Sequence, residues 1–306
     1  MNKTEKIVAL DKDNPALTNR QIADVVGCSR RLVRMIRGST EANVDGSMPK
    51  ILLYDIETAP LEVYVWRLWK NVVAPHQIIK PMSMLSWSAK WLFDDKVHSA
   101  RVSAKQAFNR DDSSILKQLW DLLEEADMII AHNGAKFDVR RINARFALNG
   151  MLPTTPYRII DTLVSTKRQF GLSAYKLDYV NYLFGLSQKS HPGFAKWRAA
   201  VENSTESEEA LETIRRYCNN DVRILEELYV QIRPWIRSHP NMGLYVNTDG
   251  RACTNCGSKD LDWGGKYHTP AGRFLAFRCE NCGAIGRSRT SDISKEERKT
   301  VCVGTV

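Results

Sequence analysis

The stretch that most limits what this chain can fold into is residues 51–60, ILLYDIETAP. Four apolar or aromatic residues run directly into Asp55-Ile56-Glu57. Alternate side chains of a strand point to one face, so Asp55 and Glu57 lie side by side while Ile56 turns into the core. Two like charges at the end of a buried strand repel each other. A fold keeps them when a cation sits between them, most often a hard, oxygen-seeking ion such as Mg²⁺ or Mn²⁺. A D-x-E on a solvated strand edge is the plain alternative. The choice turns on whether the remaining chain supplies further oxygen ligands.

Downstream, residues 63–69 and 82–91 are rich in aromatic and β-branched residues and read as strands, with 96–102 a weaker one. Residues 112–126 place Ile115, Leu116, Leu119, Trp120, Leu122 and Leu123 at helical spacing, with Ser113 and Ser114 as caps. Residues 128–132, MIIAH, form a short buried strand that breaks at Asn133-Gly134 and enters a second helical segment ending near Gly150. Asp138 falls in the first turn of that helix, beside a strand end, where the helix dipole also favours an acid. Residues 158–163, RIIDTL, are another strand ending in an acid, and 175–186 an amphipathic helix. Residues 187–203 read as a loop in which Lys196 and Arg198 flank Trp197, a pairing of charge and ring able to touch a nucleic-acid strand. Residues 207–232 form a long helix with Leu211, Ile214, Cys218, Leu225 and Leu228 along its buried stripe. On it Tyr217 and Asp221 are four apart and share a face.

Residues 1–40 form a small helical head. Ala23, Gly27, Val33 and Ile36 have the offsets of two helices crossing over a tight turn, with Gly27 in the left-handed position and Ser29 as the second N-cap. The segment resembles helix-turn-helix DNA-binding modules, and its second helix exposes Arg30, Arg31, Arg34 and Arg37 toward phosphates. A bundle that merely docks on protein is the competing reading. Residues 41–49 are polar, contain Gly and Pro, and read as a linker to a body spanning 50–240.

At the other end, Cys253-x-x-Cys256 and Cys279-x-x-Cys282 are separated by 22 residues, and Gly257 and Gly283 follow the second cysteine of each pair. The intervening residues read as a β-hairpin. Residues 241–290 thus resemble a zinc ribbon, with Cys253, Cys256, Cys279 and Cys282 holding one structural Zn²⁺. Arginines 273, 278, 287 and 289 suit contact with nucleic acid, and residues 291–306 read as a polar tail.

Collected, the acids are Asp55 and Glu57 on a strand, Asp138 at a strand-to-helix junction, and Asp221 on a late helix with Tyr217 one turn before it. The motifs DIET (55–58), AHNGAKFD (131–138) and YCNND (217–221) resemble those of the DEDD family of 3′-to-5′ exonucleases, in its tyrosine branch, similar to the proofreading domains of family-B DNA polymerases. The histidine branch would need His where Arg216 stands. The resemblance implies an α/β, RNase H-like fold: a mixed five-stranded sheet flanked by helices, here joined to the all-α head and the β zinc ribbon. It implies two Mg²⁺ or Mn²⁺ ions on Asp55, Glu57, Asp138 and Asp221, with Tyr217 orienting the attacking water. It also implies substrate contacts at Thr58, Asn133 and Phe137, joined by Arg30, Arg31 and Arg34 of the head. The expected activity is hydrolysis of terminal phosphodiester bonds of single-stranded nucleic acid with a free 3′ end, DNA favoured over RNA. No polymerase segment follows the zinc module in these residues, so a proofreading role calls for a separate DNA polymerase. The alternative function is a non-catalytic nucleic-acid-binding or regulatory protein that uses the head and ribbon on an RNase H-like scaffold.

Composition is consistent with either function. The net charge of +9 is spread along the chain and suits a polyanionic partner. Seven cysteines, an odd number, argue against a disulfide framework. No apolar run reaches the roughly 18–20 residues that cross a bilayer, and the charged N-terminus lacks a secretory core. A cytoplasmic setting is therefore expected.

Overall fold

A computed structural model describes residues 3–28, 30, 32, 33, 36, 37, 48–67, 69–188, 192–246 and 250–305. The chain divides into two compact units, Lys50–Tyr229 in one and Lys3–Pro49 with Val230–Val306 in the other.

The first of these is built on a five-stranded sheet. β1 (Ile51–Thr58) pairs antiparallel with β4 (Met84–Trp91), and β4 pairs antiparallel with β5 (His98–Arg101). On its other side β1 runs parallel to β6 (Met128–Ala131), which runs parallel to β7 (Arg158–Asp161). The order is β5-β4-β1-β6-β7, so the sheet is mixed and β1 is its centre. Ile51–Tyr54 are buried on both faces, as a central strand covered by helices requires. Helices Ser113–Glu124, Asp138–Leu148 and Ser207–Ile232 flank this sheet; the first and third bury the expected apolar residues, and the second buries Ile142 and Phe146 while Leu148 at its end is exposed. This is the α/β, RNase H-like fold that the motifs imply.

Two connections depart from the sequence reading. Among the described residues of 63–69 only Val63 is strand: β2 (Glu62–Val63) meets β3 (Ile78–Lys80) in a two-stranded ribbon. Tyr64, Trp66 and Trp69 are 76%, 99% and 80% exposed. Aromatic content favours a strand only where a neighbour offers a packing face, and none is present here. Within 187–203, Phe194–Val201 is a helix rather than loop, its last residues Ala200 and Val201 buried. On its surface Lys196 pairs with Glu209 and Arg198 with Glu202, both exposed pairs.

Two ion pairs, one wholly and one partly buried, fix the helices to the sheet. Arg145 makes a forked contact to Asp112 at 2.6 and 2.8 Å, and Asp112 also accepts the Met84 N–H at 2.8 Å. Lys90 on β4 meets Glu226 of the long helix at 2.6 Å, both wholly buried, and Glu226 accepts the Phe93 N–H as well.

In the other unit, the head has helices Lys3–Asp13 and Asn19–Val26, and residues 30, 32, 33, 36 and 37 are helical. Thr18 and Gln21 form a capping box, and Gly27 takes the left-handed conformation at φ 69°. Ile7, Ile22, Ala23, Val33 and Ile36 are its buried apolar residues. Arg37 is not part of an exposed cluster: its guanidinium donates to Asp11 and to Asn19, bracing helices Lys3–Asp13 and Asn19–Val26. Ser29, Arg31, Arg34 and most of the 41–49 linker lie outside the described residues.

The cysteine-bearing segment carries β8 (Leu261–Thr269) and β9 (Gly272–Cys279) as the expected hairpin, with β10 (Ile285–Arg287) added to its edge. Residues 295–299 of the tail form a helix capped by Ser294 and Glu297. Wholly buried Arg233, just after the long helix, donates to Asn255 O at 2.7 Å, and Asn255 returns bonds to Arg233 O and Ile236 O.

The Lys90–Glu226 pair yields a direct stability prediction. Removing one partner of a buried pair leaves an uncompensated charge and costs about 3–5 kcal/mol. Lys90→Met should lower the melting temperature of the body by roughly 10 °C, at about 2–4 °C per kcal/mol for a domain of this size. An unchanged thermal transition would show that the pair contributes nothing.

Candidate functional site

Asp55 and Glu57 are half-buried on either side of Ile56, whose side chain is in the core. Across the antiparallel ladder Asp55 faces Ser88 and Glu57 faces Ser86, both wholly buried. These short side chains let the long helix come close. Ser88 Oγ donates to Asn219 Oδ1 at 2.6 Å, which seats Cys218 Sγ 3.3 Å from the Asp55 carbonyl and 3.7 Å from Asp55 Oδ2. A carboxylate oxygen of Asp55, one of Glu57 and the Cys218 sulfur all lie within 4.8 Å of one another. Burial first, then the charges of Asp55, Glu57 and Asp221, push the Cys218 thiol well above its usual range. Cys218 is therefore a neutral S–H beside three carboxylates. The register shifts between Glu57 and Thr58, an irregularity of the kind that re-aims a strand end.

Asp221 is buried, one turn after Tyr217. The half-buried Tyr217 ring meets Trp197 edge to face, with centroids 5.7 Å apart at 83°. Asp138 opens helix Asp138–Leu148 at 4% exposure. Burial raises its carboxyl to about 7, and Asp161 adds to the rise, while Arg141 and the N–H groups of Asp138 and Ile56 pull the other way. The Ile56 contact ties Asp138 to β1 between the two first acids. The same end of β1 thus receives Asp55, Glu57, Asp138 and the 217–221 turn of the long helix. Asp138 and Asp221 fall outside the tight 4.8 Å cluster.

The loop after β6 depends on two features. A Cβ on Gly134 would lie 2.3 Å from the Ala131 Cβ, so only glycine lets the chain fold back over the strand end. Asp161, noted in the sequence only as a strand-ending acid, accepts the N–H groups of Asn133 at 3.0 Å and Ala135 at 3.4 Å while capping helix Thr162–Gln169. Its signal was present: an acid just before a helix start. Asn133, at φ 70°, lines a cleft of about 350 Å³ together with His132, Lys167, Tyr175 and Lys176. The His132 ring is braced by Thr162 Oγ1 at 2.9 Å and Tyr175 O at 2.8 Å. Phe137 is half-buried beneath the Arg141 guanidinium, 3.5 Å from its ring centroid. Thr58 is half-buried at the end of β1, and Arg30 is exposed on the head.

The donor sets fit two kinds of metal. Asp55, Glu57 and the carboxylates next to them offer hard oxygen ligands to Mg²⁺ or Mn²⁺. Cys253, Cys256, Cys279 and Cys282 are buried with their sulfurs mutually within 4.8 Å. Sγ separations of 3.6 Å (Cys253–Cys282) and 3.5 Å (Cys256–Cys279) are far too long for disulfides. They approach the ~3.8 Å edge of a tetrahedron with Zn–S bonds of about 2.3 Å. The Asn255 and Cys282 N–H groups point at Cys253 Sγ and Cys279 Sγ, and Gly257 and Gly283 take φ 76° and 77° to turn each knuckle.

Residues 91–233 match a family model described as the RNase_H superfamily. That span contains Asp138, Tyr217 and Asp221 and begins after β1. The structure of the family B DNA polymerase from the hyperthermophilic archaeon Pyrobaculum calidifontis is similar over 61% of this chain, with a TM-score of 0.44 and 18% sequence identity. The similarity spans 25% of that polymerase chain. No curated protein matches the sequence. With a mixed sheet in the order β5-β4-β1-β6-β7 and the match over 91–233, the body has an RNase H-like fold.

Proposed function

We propose that this chain is a metal-dependent 3′-to-5′ exonuclease that releases nucleoside monophosphates from single-stranded nucleic acid, DNA favoured over RNA. The observation that carries the reading is the convergence of Asp55 and Glu57 with the Tyr217–Asp221 turn on one strand end. Two divalent cations, when bound there, supply Lewis-acid stabilisation and lower the pKa of a bound water. Asp55, Glu57, Asp138 and Asp221 would hold these ions, with Asp55 and Glu57 as the closest pair of carboxylates. The Tyr217 hydroxyl orients the attacking water toward the terminal phosphorus, and Trp197 steadies its ring. The scissile bond breaks to the 3′ oxygen of the shortened strand. The Thr58 backbone N–H, Asn133 and Phe137 hold the terminal nucleotide, and Lys167 and Lys176 place positive charge in the cleft beside Asn133.

On this reading the head, through Arg30, Arg31 and Arg34, and the zinc-bearing ribbon are accessory grips on nucleic acid. A structural Zn²⁺ on the four cysteines stabilises the ribbon, whose own core is small. Four metal-ready thiols suit a reducing, cytoplasmic setting. A proofreading role would pair the chain with a separate DNA polymerase. No described helix is long and apolar enough to cross a membrane.

Asp55→Ala should cut release of labelled 3′-terminal nucleotides in Mn²⁺ by at least about a thousandfold, roughly 4 kcal/mol at 1.36 kcal/mol per decade. Tyr217→Phe should lower kcat while retaining measurable turnover. Wild-type rates from Asp55→Ala would remove the assignment. Asp138 gives a pH test without substrate. Its folded-state pKa, near 7, stands above the ordinary carboxyl value, so its contribution to stability is present at pH 4 and lost as pH rises through about 7. Without divalent cation, Asp138→Asn should therefore unfold at higher temperature than wild type at pH 8, with an advantage that shrinks as pH falls below about 7 and is gone near pH 4. An advantage independent of pH would show that the carboxyl does not titrate as described.

A further inference from the structure

A second cleft, of about 430 Å³, lies within the cysteine-bearing segment, between the turn at Asn241–Gly243, the first knuckle, Trp263 of β8, Phe277 of β9 and residues 287–290. Its volume is within the range of ligand sites. Three arginines line it, Arg251, Arg287 and Arg289, and among the described residues no carboxylate does. Elsewhere on the same hairpin, positive charge is neutralised: Lys266 and Arg273 share Asp292. Among the described residues, no carboxylate lies within ion-pair distance of the three cleft arginines.

Two of these arginines are already held in a binding posture. The Arg251 guanidinium lies 4.7 Å from the Trp263 ring centroid, and Arg287 lies 4.0 Å from that of Phe274. Trp263 is in turn fixed against buried Phe277, with centroids 4.9 Å apart. A guanidinium stacked on a ring keeps its charge and its in-plane N–H donors while much of its rotamer freedom is already lost. Its outer face remains a platform for a second flat group. The donor fork suits phosphate, and the face suits a nucleobase. The side-chain amide of Asn241, on the rim, adds a donor for a base edge.

We propose that this cleft is a nucleotide-binding site that takes one splayed-out nucleotide of a single strand, its base on the Arg251–Trp263 stack and its phosphates on Arg287 and Arg289. A duplex keeps its bases stacked and cannot present one this way. The site shares no residue with the acids on β1, and its existence does not depend on the exonuclease reading.

The test uses the full chain with zinc bound and no Mg²⁺ or Mn²⁺ added, so that strand is not consumed. Binding of a fluorescein-labelled oligothymidylate of about 20 nucleotides, longer than a single site, is followed by anisotropy across a salt series. Arg287→Ala/Arg289→Ala should weaken binding about tenfold or more. It should also flatten the slope of log K against log salt by about 1.4, at about 0.7 per phosphate contact on a single strand. The corresponding double lysine variant should restore the slope and only part of the affinity. Unchanged affinity and slope, at unchanged zinc content and melting temperature, would overturn the proposal. Equal affinity for a matched duplex, displacement of the strand by a phosphoserine peptide, or binding of free thymidine monophosphate as tight as that of the strand would each overturn it as well. Crosslinking of wild-type protein to an oligonucleotide bearing 4-thiothymidine needs no variant. It should label residues 241–290, and crosslinks confined to 50–229 would contradict the site.

Discussion

Asp55 and Glu57 are carried on one edge of the central strand, and every element around them has to accommodate their repulsion. Like charges about 4 Å apart cost about 4 kcal/mol at an effective dielectric of 20. The fold raises that cost by bringing Asp221 on a helix and Asp138 at a loop end to the same place. What faces the acids from the protein side is small and polar: Ser86 and Ser88 opposite them, Asn219 and the neutral thiol of Cys218 above. None of these cancels a negative charge. On the proposed reading, divalent cations bound at this strand end would offset that repulsion.

The surrounding framework is correspondingly stiff. Lys90–Glu226 pins the long helix to β4 some five residues beyond Asp221, and Arg145–Asp112 pins the helix that begins at Asp138. The first pair is wholly buried and the second largely so, a poor source of net stability and a good source of fixed geometry. The loop between β6 and that helix gains its shape from Gly134 and from Asp161, which caps the next helix with the same carboxylate. Removal of Asp161 would therefore act on Asn133 through backbone position, although its side chain has no assigned chemical role.

Much of this was legible in the sequence. The central strand showed as a continuous apolar run, the long helix as an apolar stripe of period 3.6, and the four acids and Tyr217 as residues at fixed distances from those elements. The four cysteines likewise declared themselves by spacing. Residues 63–69 misled because β-rich composition does not reveal whether a partner strand exists; here the side chains point into solvent. Helix Phe194–Val201 was hidden by its brevity, and β10 by a three-residue length containing Gly286. Cys218 was rightly read as buried, but nothing local shows that a residue 163 positions earlier would lie against it. Arg37 was misplaced for the same reason: its partner Asp11 is set by how two helices meet.

The most direct measurement of the central claim is anomalous diffraction from crystals of the full chain soaked in MnCl₂. Two manganese peaks about 3.5–4 Å apart, bounded by Asp55, Glu57 and Asp221 and absent in Asp55→Ala, are the predicted result. A soaked wild-type crystal with no manganese at that strand end would contradict it.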